Sequence, residues 1–174
     1  VGRYQNDIAS TMWRFCRDRN TWEALVQETF VEAYFSLAGY GHRAPLLHWL
    51  RRIATRVGYR WLRNEYRHRE REPRESRDVG HVASQAKDRN ETAELAEWVH
   101  AMLGRLKPRD RLVLTLLYLE ECTIEEAAAR TGWSVSMVKV QAHRARKRLR
   151  ATLDETDGRH GGATDVGRPV SRAV

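Results

Sequence analysis

Residues Leu106–Leu153 read LKPRDRLVLTLLYLEECTIEEAAARTGWSVSMVKVQAHRARKRLRATL, and their spacing predicts helix, helix, tight turn, helix. Pro108 suits the first turn of a helix, where its missing N–H leaves no bond unmade. Leu112, Val113, Leu116 and Leu117 then recur at helical period. Thr123 opens a second helix, and Glu126 stands three residues on, the spacing of a capping box. Ile124, Ala127 and Ala128 give it a small, packable face. Gly132 stops it, because glycine takes the left-handed conformation without steric cost. Ser134 caps a third helix, whose Val135, Val138, Ala142, Ala145 and Leu149 form one apolar stripe.

The other side of that third helix indicates what the unit does. At 100° per residue, Ser136, Val140, His143, Arg144 and Lys147 point away from the stripe, with Lys139 and Arg150 on its flank. From Lys139 to Arg150 the charged residues are Lys139, Arg144, Arg146, Lys147, Arg148 and Arg150, all basic. A capped helix, a glycine turn and a basic outward face predict a helix-turn-helix with a recognition helix. An ordinary amphipathic helix also carries charge runs, but it does not require cap, turn and one-signed charge together.

Composition agrees. The 174 residues carry 31 Lys+Arg against 23 Asp+Glu, a net charge of +8. That balance favours a polyanionic partner bound in a salt-sensitive way. Hydrophobic residues make up 41% of the chain, enough for small cores. Cys16 and Cys122 are the only cysteines, without metal-ligand spacing, so a reducing, cytoplasmic setting is expected. Neither a signal-peptide pattern nor an apolar run of membrane-spanning length occurs. Val1 is compatible with processing, truncation or an alternative start codon.

Upstream, residues 3–19 predict a helix bearing Tyr4, Ile8, Met12, Phe15 and Cys16. A second helix, 22–37, is expected to be capped by Thr21 and to bury Leu25, Val26, Phe30, Val31 and Tyr34 or Phe35. Its Glu23, Gln27, Glu28 and Glu32 then form a solvated acidic face. GYGHRAP, Gly39–Pro45, breaks helices at both ends. A long helix follows over 46–71, with Leu46, Trp49, Leu50, Ile53, Val57, Trp61 and Leu62 on one face. The rest of its surface is rich in arginine, interleaved with Trp49, Tyr59, Trp61 and Tyr66. That mixture suits single-stranded nucleic acid, where bases stack and phosphates need cations; aromatics at helical spacing are also ordinary core. Residues 72–90 show no apolar period and predict a flexible linker. Helical periodicity returns at Glu91 with Leu95, Trp98, Val99, Met102, Leu103 and Leu106. Residues 154–174 are glycine-rich and aperiodic, and are expected to be disordered. The predicted fold is all-α: two small helical modules, 1–71 and 91–153, joined by the linker.

Three stretches in order resemble bacterial RNA polymerase sigma factors of the extracytoplasmic-function group. EALVQETFVEAY, Glu23–Tyr34, resembles the helix of region 2 that grips the clamp helices of the polymerase's largest subunit. HRAPLLHWLRRIA, His42–Ala54, resembles the region 2 loop and helix that read and open the downstream (minus-10) promoter element. Leu106–Arg150 resembles region 4, which reads the upstream (minus-35) element. The resemblance implies polymerase contacts at Glu23, Gln27, Glu28 and Phe30. It implies downstream-element contacts at Tyr40, His42, Arg43, Trp49, Arg52, Arg56, Tyr59, Arg60 and Arg63. It implies upstream-element contacts at Ser136, Lys139, Val140, Gln141, His143, Arg144 and Lys147. Its partners would be core RNA polymerase (clamp helices and flap region), duplex and single-stranded promoter DNA, and an anti-sigma factor. No cofactor, metal or covalent chemistry is implied. Ala24 stands where an acidic residue is usual, Leu46–Leu47 replace an aromatic–basic pair, and Arg56 replaces a frequent asparagine. Val140–Gln141 replace a serine–arginine pair, so the outward Val140 is expected to meet a thymine methyl.

Two other classes fit less of the chain. A stand-alone helix-turn-helix regulator explains 106–153 but gives neither the acidic helix nor the arginine-rich helix a role. A DNA-processing enzyme requires a metal cluster, a nucleophile–base arrangement or a phosphate-cradling glycine loop. The scattered His42, His48, His68, His81, His100, His143 and His160 offer no such spacing.

Overall fold

The computed structural model describes residues 2–71 and 91–160, which form seven α-helices and no strand. The linker expected over 72–90 and the tail beyond 160 lie outside the described residues.

Helices α1 (Gly2–Phe15), α2 (Arg19–Ser36) and α3 (Leu46–Arg71) form the first unit. Ile8, Met12 and Phe15 of α1 are fully buried against Leu25 of α2 and Leu50, Ile53, Ala54, Val57 and Leu62 of α3. Gly58 makes the α1–α3 approach possible: a Cβ there would stand 2.7 Å from Cδ1 of Phe15. Arg51 joins the same two helices through Asp7 at 3.2 Å.

The first two helices differ from expectation. Asp18, not Thr21, caps α2, accepting from the Thr21 amide at 2.8 Å, so α1 ends at Phe15 rather than reaching Arg19. The inward stripe of α2 is Leu25, Thr29 and Ala33. Thr29 is tolerated there because its hydroxyl donates back to the Leu25 carbonyl at 2.8 Å. Small residues let α2 lie close to α3, which turns the larger apolar residues outward. Val31 (53% exposed), Tyr34 (75%) and Phe35 (78%) are therefore surface, contrary to the expected core.

The second unit holds α4 (Glu91–Gly104), α5 (Pro108–Leu114), α6 (Ile124–Thr131) and α7 (Val135–His160). Pro108 opens α5, and Thr123 and Glu126 form the capping box of α6. Gly132 ends α6 at φ 75°, and Ser134 accepts from the Met137 amide at 3.2 Å at the start of α7. Between α5 and α6, residues Thr115–Leu119 make one wide π-type turn, the Glu120 amide bonding to the Thr115 carbonyl at 2.9 Å. Val138, Ala142 and Ala145 are buried as the stripe predicts, whereas Leu95 and Trp98 of α4 are exposed. Helix α7 runs on to His160, past the end expected at residue 153. Extending an established helix avoids the cost of nucleation, and an exposed end needs no apolar period.

The two units share one continuous apolar cluster, reaching from Ile8 to Ala145. Helix α3 is the common member, with α1 and α2 on one side and α5 and α6 on the other.

Candidate nucleic-acid interface

Helix α7 presents Ser136, Lys139, Val140, His143, Arg144 and Lys147 as exposed side chains, as a reading surface requires. Val140 is half exposed, an apolar side chain amid basic ones. Gln141 differs. Its Nε2 donates at 2.6 Å to Oδ1 of Asp110, a residue with no exposed surface, and Arg148 donates to the other oxygen at 2.6 Å. Asp110 lies in the first turn of α5, where the helix dipole favours negative charge. Gln141 thus ties α7 to α5, and its amide group is engaged there.

On the first unit, the loop before α3 is ordered by its own side chains. The Tyr40 ring lies 4.5 Å from His42 and 5.0 Å from Trp49, and its hydroxyl donates to the Ala44 carbonyl at 2.6 Å. His42 takes φ 54°, a left-handed conformation that histidine adopts more readily than most residues. Tyr40, Arg43, His48, Trp49 and Arg52 line a cleft of about 550 Å³ that is closed on its far side by Glu126, Ala129 and Arg130 of α6. Along α3, Arg63 lies over the Tyr59 ring at 5.9 Å, a cation beside a stacking surface.

The acidic side of α2 is not simply solvated. Glu32 binds Arg56 at 2.9 Å and Arg60 at 2.5 Å, and Glu28 binds Arg60 at 2.5 Å. Burial alone would raise the Glu32 pKa, but hydrogen bonds from Arg56 and Arg60 hold it below the usual carboxylate range. Glu28, expected at the polymerase surface, is therefore joined to Arg60 and, through Glu32, to Arg56, both expected on the DNA strand. Gln27 is exposed and Phe30 half-buried; together with Val31, Tyr34 and Phe35 they make an apolar surface bordered by carboxylates. The resemblance placed Phe30 at this surface, but the sequence pattern assigned Val31 and one of Tyr34 and Phe35 to the core, and so missed its apolar extent.

Three buried polar groups also escaped prediction: Asp110, Arg111 and Glu120. Arg111 of α5 is 7% exposed, donates Nη2 to the Phe15 carbonyl at 2.8 Å and lies over the Trp61 ring at 5.5 Å. Burial lowers its pKa to about 10, with Arg69 adding to the effect. Glu120 has a side chain only 3% exposed, bonded by Arg14 of α1 and at 2.7 Å by Arg130 of α6. Desolvation would raise the Glu120 pKa, yet those two arginines bring it below its ordinary value. Nothing in local periodicity marks these residues; only their long-range partners do. Among the described residues no group of His, Cys, Asp and Glu could hold a metal ion, and no helix is long and apolar enough to cross a membrane.

A basic helix-turn-helix behind an arginine-rich helix is the arrangement of a helical DNA-binding protein. Comparison with known proteins makes the class definite. The Sigma-70 region 2 family model matches residues 1–68, and the Sigma-70, region 4 model matches residues 96–149. The chain is 31% identical over 147 residues to the ECF RNA polymerase sigma factor EcfG of Rhodopseudomonas palustris, covering 84% of this chain and 78% of that protein. It is 26% identical over 155 residues to the RNA polymerase sigma factor YlaC of Bacillus subtilis, covering 88% of this chain and 90% of that protein. Among solved structures it resembles CnrH in complex with the cytosolic domain of CnrY, with a TM-score of 0.61 and 27% identity over 89% of this chain and 85% of that one. The chain belongs to the extracytoplasmic-function RNA polymerase sigma factors, and directs transcription initiation at promoters. A stand-alone helix-turn-helix regulator leaves the match over residues 1–68 without a purpose.

Proposed function

We propose that this sigma factor docks on core RNA polymerase through the outer face of α2, reads the minus-35 element with α7 and opens the minus-10 element with the loop and outer face of α3. The docking residues are Glu23, Gln27, Glu28 and Phe30, extended by Val31, Tyr34 and Phe35. The observation that carries this part is the outward turn of those apolar side chains, since an exposed apolar patch with a polar rim marks a protein-binding surface. At the upstream element Arg144 and Lys147 provide charge, Val140 meets a thymine methyl, and Gln141 serves as a brace. Downstream, an extruded base stacks in the Tyr40–Trp49 cleft while Arg52, Tyr59 and Arg63 hold the strand; unstacking costs only a few kcal/mol per step, so capture shifts the equilibrium toward melting. Arg56 and Arg60 join the strand only after leaving Glu32 and Glu28.

The protein works in the cytoplasm without covalent chemistry of its own. The solved relatives CnrH and RpoE from Bartonella quintana were captured with CnrY and with the anti-sigma factor NepR. We extend that partnership to this chain: an anti-sigma protein occupies surfaces otherwise used by polymerase.

Reconstitution with core polymerase and a promoter library tests the reading. Specific transcripts are expected, lost with Glu28→Lys. Absence of core binding by the unmodified chain would refute it.

A further inference from the structure

Arg111 of α5 is a buried cation that enters no ion pair among the described residues. Burial lowers its pKa only to about 10, so the guanidinium keeps its charge at neutral pH. A charge taken out of water is costly unless an opposite charge meets it. The contacts it does make are neutral: Nη2 donates to the Phe15 carbonyl at 2.8 Å, and the group lies over the Trp61 ring at 5.5 Å. The carboxylates nearby are committed elsewhere. Glu65 pairs with Arg69 at 3.6 Å, and Glu97 offsets the charge of Arg17. The Cys16 thiol supplies no negative charge either: burial pushes it up, and it donates to the Asp18 carbonyl at 3.7 Å.

The unmatched charge borders a cavity of about 200 Å³, lined also by Cys16, Arg17, Trp61, Glu97 and His100. Its walls come from the turn after α1 and from α3, α4 and α5. The space is large enough for several waters or for one small oxyanion. Arg17 is exposed and lies across Trp13 at 5.1 Å, His100 is half-buried and Arg111 is buried, so donors occur at every depth. Arg17, Arg69 and Arg111 outnumber Glu65 and Glu97 by one charge, and protonation of His100 adds a second. Burial, reinforced by Arg17 and Arg111, lowers the His100 pKa to about 4. The two cations that repel a proton from His100 attract an anion to the same place. Guanidinium groups hold oxyanions through paired, charge-assisted hydrogen bonds. Donors arriving from three helices and a turn suit a tetrahedral anion better than a planar carboxylate.

We propose that this cavity binds a small tetrahedral oxyanion of the phosphate or sulfate class, with Arg111 and Arg17 as its charge partners and His100 as a third donor once protonated. The anion supplies the counter-charge that the described residues do not bring to Arg111. None of the residues expected on polymerase or promoter lines the cavity, so the inference stands apart from how those partners bind.

The test uses the full chain with isotope-labelled histidine, followed by NMR, with His100→Gln identifying the resonance. Sulfate is the first probe because it does not titrate alongside histidine; inorganic phosphate and glycerol 3-phosphate follow, each matched in ionic strength by sodium chloride. Sulfate is expected to raise the His100 midpoint by about one unit or more, the effect of an opposite charge close by, and to leave the other histidines unmoved. The melting temperature at neutral pH should rise and saturate with sulfate and with phosphate. Arg17→Gln should weaken half-saturation about ten-fold, the scale of one charge-assisted hydrogen bond, at a position exposed enough to spare the fold. Arg111→Met should abolish the response; if it fails to fold by circular dichroism, Arg17→Gln decides alone. A response that does not saturate, that chloride reproduces, or that Arg17→Gln leaves unchanged would overturn the site and show an adventitious ion only. Glycerol 3-phosphate matching phosphate makes a phosphoryl ester the occupant, and a response to phosphate alone makes it the free ion; each supports the site.

Discussion

Gln141 of α7 donates to Asp110 of α5 at 2.6 Å, a bond that braces the two helices against each other. Its neighbour Val140 is half exposed, and from that contrast we expect Val140 to read the duplex and Gln141 to brace the helix. On the upstream duplex selected by transcription, Gln141→Ala should change affinity less than two-fold, whereas Arg144→Ala should cost about 1–3 kcal/mol if it makes a bidentate base contact. Asp110→Ala should instead lower the unfolding free energy by about 1–3 kcal/mol, because the groups it pairs lose their acceptor. Fluorescence anisotropy and urea titration measure the two effects. Equal losses for Gln141→Ala and Arg144→Ala in DNA binding would return Gln141 to the reading surface.

Tyr34 and Phe35 are the most exposed large apolar residues of α2, and their rings meet edge-on at 5.6 Å. Tyr34→Ser should reduce core polymerase binding at least ten-fold in a pull-down or interferometry titration. Thermal stability should stay within the usual range of surface changes, about 0.5 kcal/mol. A wild-type affinity in Tyr34→Ser would show that polymerase docks elsewhere.

Gly58 sits in mid-helix, where glycine is normally unfavourable relative to alanine by roughly 0.5–1 kcal/mol. Here the Phe15 ring occupies the space a Cβ needs, at 2.7–2.9 Å. Gly58→Ala should therefore destabilise the protein by about 1–3 kcal/mol through overpacking, reversing its usual helix-stabilising effect. Chemical denaturation decides the sign. Phe15→Leu introduced with it should recover part of the loss.

His100 of α4 lies beside Arg17 and Arg111 in a cavity of about 200 Å³. Burial, reinforced by those two cations, lowers its pKa from 6.5 to about 4. The unfolded chain takes up this proton near pH 6.5 and the folded chain does not. Stability is therefore complete above pH 6.5 and falls as the pH drops toward 4. Linkage puts the loss at up to about 2 kcal/mol between pH 7 and pH 5. The depressed carboxylates Glu32, Glu120 and Glu126 act below about pH 4.5, outside that window. His100→Gln should flatten the slope of unfolding free energy against pH between 7 and 5. An unchanged slope would place the titrating group elsewhere.

Much of this molecule is written in short-range pattern. The Pro108 start, the Thr123–Glu126 box, the Gly132 stop and the Val138–Ala142–Ala145 stripe each depend on residues within a turn or two. Local chemistry determines them, and they occur where the sequence places them. Helix α3 is likewise legible from end to end, Leu46–Arg71, because one face repeats and breakers precede it. The family resemblance was legible for the same reason.

What required the tertiary structure were residues whose partners are distant in the chain. Thr29 and Ala33 face inward because α2 approaches α3 closely, and Tyr34 and Phe35 face outward for that reason alone. Glu120 can be buried because Arg14, 106 residues away, arrives to pair with it; Arg111 can be buried because α1 ends at a carbonyl in its reach. Sequence specifies helices through interactions between near neighbours. Which face of a helix is inside, and which charge can leave water, depends on what the other helices bring to it.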